Sequence, residues 1–223
     1  MSTPQPKLRI GILDDHPMTR DGVVRWIAGE EDMEVCWEAE SAEAGLTAAL
    51  KSPPDLIVAD ISLPGKSGLE FVKDMRASLP SVPVLVLSMH DESIYAERAL
   101  RAGARGYIMK HEGGAKLIDT IRSVLGGKIQ VSEQMSGRIL ESFSGPVSSE
   151  KTGVEGLSDR EFEVFELLGA GLSTKKIGLR RHLSPKTVDS HRANIKAKLQ
   201  IKKMSELIAF AANWIASEPT AKL

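Results

Sequence analysis

Residues 56–68 read LIVADISLPGKSG. Four apolar, strand-favouring residues lead into a carboxylate, Asp60, and then into a run rich in Gly, Pro and Ser. A short apolar run bounded by turn residues reads as a strand buried on both faces. The helical pattern GLEFVKDMRASL that follows at 68–79 makes it the first half of a strand–helix unit. The same alternation recurs on both sides. Strands are expected at Leu8–Leu13, Met33–Ala39, Leu56–Ala59, Val84–Leu87 and Gly106–Met109, with helical stretches between them and GAKLIDTIRSVLGG after the last. Strands alternating with helices predict an α/β domain, a doubly wound five-stranded parallel sheet of about 125 residues.

Beyond Ser132 the pattern changes. SEQMSGRILESF has a helical look, SGPVSSEKTGVEG reads as a linker, and four short helices are expected from Asp159 to Ala216. Charge divides the same way. Residues 1–130 hold 15 Lys+Arg against 19 Asp+Glu, whereas Gly171–Lys203 holds ten basic residues against Asp189 alone. Different partners are expected for the two halves. Cys36 is the only cysteine, so internal disulfides and cysteine metal clusters are excluded, and a buried inert thiol is expected. No apolar run approaches the roughly 20 residues that cross a bilayer, and no signal peptide opens the chain. A cytoplasmic protein without a membrane partner is expected.

In an open parallel sheet, ligands bind at the carboxyl edge of the strands. Four polar features close strands here: Asp14–Asp15 in GILDDHP, Asp60, Ser88 in VLVLSMHD, and Lys110 in GYIMK. Asp15 alone reads equally well as a helix cap, and Ser88 as the start of a turn. Converging on one edge, the set suits Mg²⁺, which prefers oxygen ligands at about 2.0–2.1 Å and would relieve the repulsion between Asp14 and Asp15. Such a site can accept a phosphoryl group, with Asp60 as nucleophile, Lys110 as a second positive contact and Ser88 as a hydrogen-bond donor. A phosphatase acting on external substrates would want another acid just after the nucleophile, and DISLP offers none. His16 is expected to shape its loop, and His90 to lie in an exposed polar loop.

DDHP, DISLPG-SG and GYIMK stand in the order of the signature stretches of receiver domains, and residues 7–128 resemble the receiver of a two-component response regulator, a flavodoxin-like fold. The resemblance implies Asp60 as phosphoacceptor and Asp14, Asp15, Asp60 and the backbone carbonyl of Ser62 as Mg²⁺ ligands. It also implies Ser88 and Tyr107 as a switch pair, Lys110 as the phosphoryl-holding cation, and a cognate histidine kinase or phosphotransfer protein as donor.

After residues 129–156, the helical part carries boundary signals. Ser158 with Glu161 forms a capping box, Gly169 and Gly171 a stop, Ser173 a second cap, and Ser184-Pro185 a third helix start. A short helix, a tight turn and a longer helix make a helix-turn-helix. At 100° per residue, Val188, Ile195 and Leu199 form a buried stripe on the longer helix. Lys186, Thr187, Asp189, Ser190, Ala193 and Asn194, with Lys196 beside them, face away and suit a DNA major groove. Lys175, Lys176, Arg180, Arg192 and Lys198 suit phosphates.

Residues 157–216 resemble the LuxR-type DNA-binding domain through LSDRE-EV-LL--G-S-K-I and LSPKTVD-H--NI--KL-I, and over nearly its whole length the chain then resembles the NarL/FixJ subfamily. That resemblance implies a transcription regulator whose phosphorylation controls homodimerisation and binding of double-stranded DNA; the alternative is a phosphorylation-independent DNA-binding or interaction protein with a vestigial receiver. Leu207, Ile208 and Ala211 would belong to a dimerisation helix, with core packing as the alternative. Three residues depart from the pattern. Arg181 stands where an apolar residue is usual, which predicts a shifted or looser helix. Met204 replaces a common arginine. Asp189 replaces a common lysine, and its carboxylate can accept from cytosine N4.

Overall fold

The computed structural model describes residues 6–137 and 153–217. The chain divides into two compact units, Met1–Leu140 and Glu141–Leu223.

In the first unit, strands β1 (Leu8–Leu13), β2 (Met33–Ala39), β3 (Leu56–Ala59), β4 (Val84–Ser88) and β5 (Gly106–Met109) pair in parallel in the order β2-β1-β3-β4-β5. Helices α1 (Pro17–Ala28), α2 (Ala42–Lys51), α3 (Gly68–Ser78), α4 (Glu92–Ala102) and α5 (Gly113–Leu125) connect them. The inner strands β3 and β4 are buried at every residue, as their unbroken apolar runs predict, whereas edge strand β2 is buried only at its ends. One face packs Ile10, Ile12, Val58 and Leu85 against Val23 and Ile27 of α1 and Leu117 and Ile121 of α5. Each fully buried aliphatic side chain there stabilises the fold by about 1.5–3 kcal/mol.

Strand order reverses direction between β1 and β3, which opens the crevice where a parallel sheet binds its ligand. The ladder carries the acids to that crevice: Asp60 N–H donates to the Leu13 carbonyl at 2.8 Å, and Asp14 N–H to the Ala39 carbonyl at 3.1 Å. The loop after Asp60 turns through Gly65 at φ +68° and returns so closely that a Cβ on Gly68 would lie 1.9 Å from the Asp60 carbonyl oxygen. Only glycine fits there. Gln130 bridges back to Gly106, and Met135 is buried, so the first unit continues past residue 128. Residues 133–137 are helical; the rest of the expected linker, 138–152, lies outside the described residues.

In the second unit, after a 3₁₀ turn at Gly153–Gly156, come α6 (Asp159–Gly169), α7 (Thr174–Arg181), α8 (Pro185–Lys198) and α9 (Met204–Ser217). The capping box of Ser158 and Glu161 forms as expected, and Ser173 and Ser184 cap α7 and α8. Trp214 of α9 meets Phe162 and Phe165 of α6 edge-on, at 5.5 and 5.8 Å between ring centroids. Cys36 is half-buried rather than buried, and burial still pushes its thiol above the ordinary range. No helix among the described residues is long and apolar enough to cross a membrane.

Candidate functional site

The five expected residues of the strand edge do converge. Asp14, Asp60 and Ser88 are buried, and Lys110 Nζ lies 2.8 Å from both Asp14 Oδ2 and Asp60 Oδ2. The remaining oxygens take backbone donors, Asp60 Oδ1 from Ile61 N–H at 2.7 Å and Asp14 Oδ1 from His16 N–H at 2.8 Å. Burial, and next the Asp60 charge, push the Asp14 carboxyl above the usual carboxylate range despite Lys110. Burial works against the Lys110 ammonium, but the Asp60 and Asp14 carboxylates outweigh it and hold Lys110 above its ordinary value.

Asp15 is not a helix cap. The capping position of α1 is His16, which makes no side-chain cap, and Asp15 Oδ1 is buried without a well-formed hydrogen bond, with His16 Nδ1 at 2.8 Å. Asp14, Asp15, His16 and Asp60 each offer a ligand atom, all within 4.8 Å of one another. The three carboxylates are a hard oxygen set that fits Mg²⁺, and the buried Asp15 oxygen, which makes no well-formed hydrogen bond, suits a cation.

Ser88 does start a turn, its Oγ accepting from His90 N–H at 3.2 Å. The Tyr107 phenol is buried, lies within hydrogen-bonding reach of Ser88, and donates to the His90 carbonyl at 2.8 Å. Burial pushes that phenol above its ordinary value, so it stays a neutral donor. His90 is half-buried, not exposed as expected. Its ring packs on Tyr95 at 4.4 Å, and Nε2 lies 2.9 Å from Ser62 Oγ. Arg20 also escaped the sequence reading. Its guanidinium donates to the Asp14 carbonyl at 2.7 Å and pairs with Glu38 at 3.1 Å and Glu40 at 2.9 Å, fixing the β1 loop. The only signal was a basic residue in the first turn after DDHP with two acids at the end of β2.

In the second unit, Lys175, Lys176, Lys186, Thr187, Asp189, Ser190, Ala193 and Asn194 are exposed, and Arg192 and Lys196 half-buried. Val188 and Ile195 are fully buried, while Leu199 is only half-buried. Two hydroxyls of the exposed arc serve the helix itself: Thr187 Oγ1 lies 2.8 Å from the capping Ser184 Oγ, and Ser190 Oγ donates to the Lys186 carbonyl at 3.0 Å. Arg192 is tied down, pairing with Asp189 Oδ1 at 2.7 Å and with Thr174 Oγ1.

Arg181 is the last residue of α7. It is buried, and its Nε lies 3.5 Å from Glu163 Oε2, which also takes Arg160 at 2.7 Å. The buried carboxylate accommodates the cation. Leu207 and Ala211 are fully buried within the unit and serve its core, leaving Ile208 and Phe210 of α9 exposed.

The response regulator receiver domain family matches residues 10–122, and the luxR family of bacterial regulatory proteins matches residues 155–211. The chain belongs to the two-component response regulators. The regulator is 32% identical over 210 residues to the oxygen regulatory protein NreC of Staphylococcus epidermidis, covering 92% of this chain and 96% of the relative. A LuxR-family two-component response regulator from Aurantimonas sp. SI85-9A1 superposes at TM-score 0.57 with 32% identity, covering 62% of this chain and 99% of that one. RcsB of Salmonella enterica serovar Typhimurium, bound to the rprA promoter with the phosphomimetic BeF₃⁻, shares the fold at TM-score 0.60 and 23% identity, covering 92% and 98%. Receiver and luxR-type domains on one chain make the regulator's function phosphorylation-linked control of transcription.

Proposed function

We propose that Asp60 is the phosphoacceptor and that its phosphorylation switches DNA binding by α8. One observation carries this reading: Asp14 and Asp60 share a single buried ammonium at the crevice of the sheet. Asp14, Asp15, Asp60 and the main-chain carbonyl of Ser62 would hold Mg²⁺, which when bound neutralises charge on the transferring phosphoryl oxygens. A carboxylate oxygen of Asp60 attacks phosphorus, and the P–N bond to a histidine of the donor kinase or phosphotransfer protein breaks. Lys110 then exchanges its contact with Asp60 for a phosphoryl oxygen. Ser88 Oγ turns from His90 N–H to the same group, which loosens the loop whose His90 carbonyl holds Tyr107. Each exchange is a local contact that can bias a two-state element.

On the output side, Lys186, Thr187, Asp189, Ser190, Ala193, Asn194 and Lys196 lie on the arc of α8 suited to a major groove, and Lys175 and Lys176 are exposed for phosphates. Promoter-bound RcsB supports this mode of action. A homodimer on α9 would use Ile208 and Phe210 rather than Leu207 and Ala211. A chromosomal target implies a cytoplasmic protein. Labelling with a radioactive small phosphodonor tests the site: one phosphoryl group per chain is expected with Mg²⁺, and none for Asp60→Asn. Label on the Asn variant would refute the assignment.

A further inference from the structure

Asp189 is the single acid in the basic stretch Gly171–Lys203, and it stands on the exposed arc of α8, four residues past the helix start at Pro185. A bare carboxylate facing DNA phosphates would weaken binding to every sequence. Here it is not bare. Arg192, one turn on, pairs with Oδ1 at 2.7 Å, and the same guanidinium nitrogen reaches Thr174 at the start of α7. Arg192 is thereby anchored between both helices of the helix-turn-helix, its side chain 22% exposed against 61% for Asp189. The pair is neutral overall, and Asp189 Oδ2 has no partner among the described residues.

We infer that Asp189 is a specificity-determining residue that accepts a hydrogen bond from the N4 amine of a cytosine in the major groove, with Arg192 as its positioning residue. This rests on the reading of α8 as the DNA-facing helix. The residues near the start of such a helix contact base edges. A carboxylate can only accept, and the major groove offers two amine donors, cytosine N4 and adenine N6. Adenine sets its N7 acceptor beside N6, where it opposes a carboxylate; cytosine presents no acceptor on that edge. Arg192 fixes the carboxylate by holding Oδ1 and offsets its repulsion from the backbone, leaving Oδ2 to read the base.

The test is selection of the full-length phosphorylated chain on a randomised duplex library, with preferences read position by position. Wild type is expected to prefer cytosine at one position of each half-site by about tenfold. Asp189→Ala should flatten that position alone, and Asp189→Asn should turn it toward adenine, whose N6 and N7 match an amide. Arg192→Ala should weaken the preference at the same position and nowhere else. An Asp189→Ala profile unchanged at every position, with uniformly tighter binding, would overturn the proposal. A uniform loss in Arg192→Ala would make that residue a phosphate contact and overturn its positioning role. Absence of wild-type DNA binding at low salt would overturn the parent reading and this one with it; binding with an unaltered profile overturns this one alone.

Discussion

Each unit buries a cluster of three charged side chains, and the two clusters are opposite in sign. In the first, the carboxylates of Asp14 and Asp60 share the Lys110 ammonium at 2.8 Å each. In the second, the guanidiniums of Arg160 and Arg181 share the Glu163 carboxylate at 2.7 and 3.5 Å. The first lies at strand ends in a crevice, beside Asp15 and an exposed His16, where an ion and a reacting group can reach it. It holds one carboxylate more than Lys110 can neutralise, and burial, with the Asp60 charge next, pushes the Asp14 carboxyl up. The second is enclosed, with all three side chains buried. Similar parts thus make a site where a negative excess lies at an open edge, and a brace where a positive excess lies enclosed in the interior.

Five substitutions follow from that contrast and its surroundings. The largest effect is expected from Asp60→Asn, which removes the proposed nucleophile: phosphoryl incorporation falls to background while the circular dichroism spectrum is kept. Next, Glu163→Gln leaves two buried guanidiniums without their carboxylate and should cost about 3–5 kcal/mol in urea denaturation. Arg181→Met keeps the Arg160–Glu163 pair and should stay within about 1.5 kcal/mol of wild type. Equal losses for the two would mean that Glu163 is no brace.

Asp14→Asn should act in the opposite sense, stabilising the metal-free protein by on the order of 0.5–2 kcal/mol while abolishing Mg²⁺-dependent phosphorylation. The sign follows from the raised Asp14 value. The folded state holds that proton more tightly than the unfolded chain, so ionising it above the ordinary carboxylate range lowers stability. The advantage of the amide variant should therefore disappear in acid, and thermal melts across pH read it.

The smallest effect is expected from Lys198→Met. Burial opposes ionisation of Glu161, but Lys198 at 2.7 Å and the Ser158 amide at 2.8 Å hold its carboxyl below the ordinary range. A lowered folded value gives stability that is present above the unfolded carboxylate range and lost as pH falls through the folded value. Removing Lys198 should cost under about 1 kcal/mol near neutral pH and flatten the acid limb of the stability profile.

The strands were legible because each is a short apolar run ended by turn residues, and their parallel order alone brings Asp14, Asp15, Asp60, Ser88 and Lys110 together. Contacts set by packing across the chain were not legible. Arg20 reaches Glu38 and Glu40 from another element, and His90 meets Ser62 across 28 residues. Glu163 sits in REFEVFEL, where it reads as a solvent-facing charge; only the packing of α7 on α6 makes it the counter-ion of Arg181. For Arg192, the pairing with Asp189 three residues earlier was within reach of the sequence, but the anchor at Thr174 was not. On α9, helical spacing could not decide whether Leu207 and Ala211 face a partner or the core, and burial assigns them to the core.

The central claim is that charge added at Asp60 governs what α8 does to DNA. Its most direct test is the affinity of the full-length chain for its selected duplex at fixed salt, with and without a small phosphodonor and Mg²⁺, for wild type and Asp60→Asn. The account predicts tighter binding on phosphorylation of wild type and no response in the variant. Equal affinity of phosphorylated and unphosphorylated wild type would contradict it.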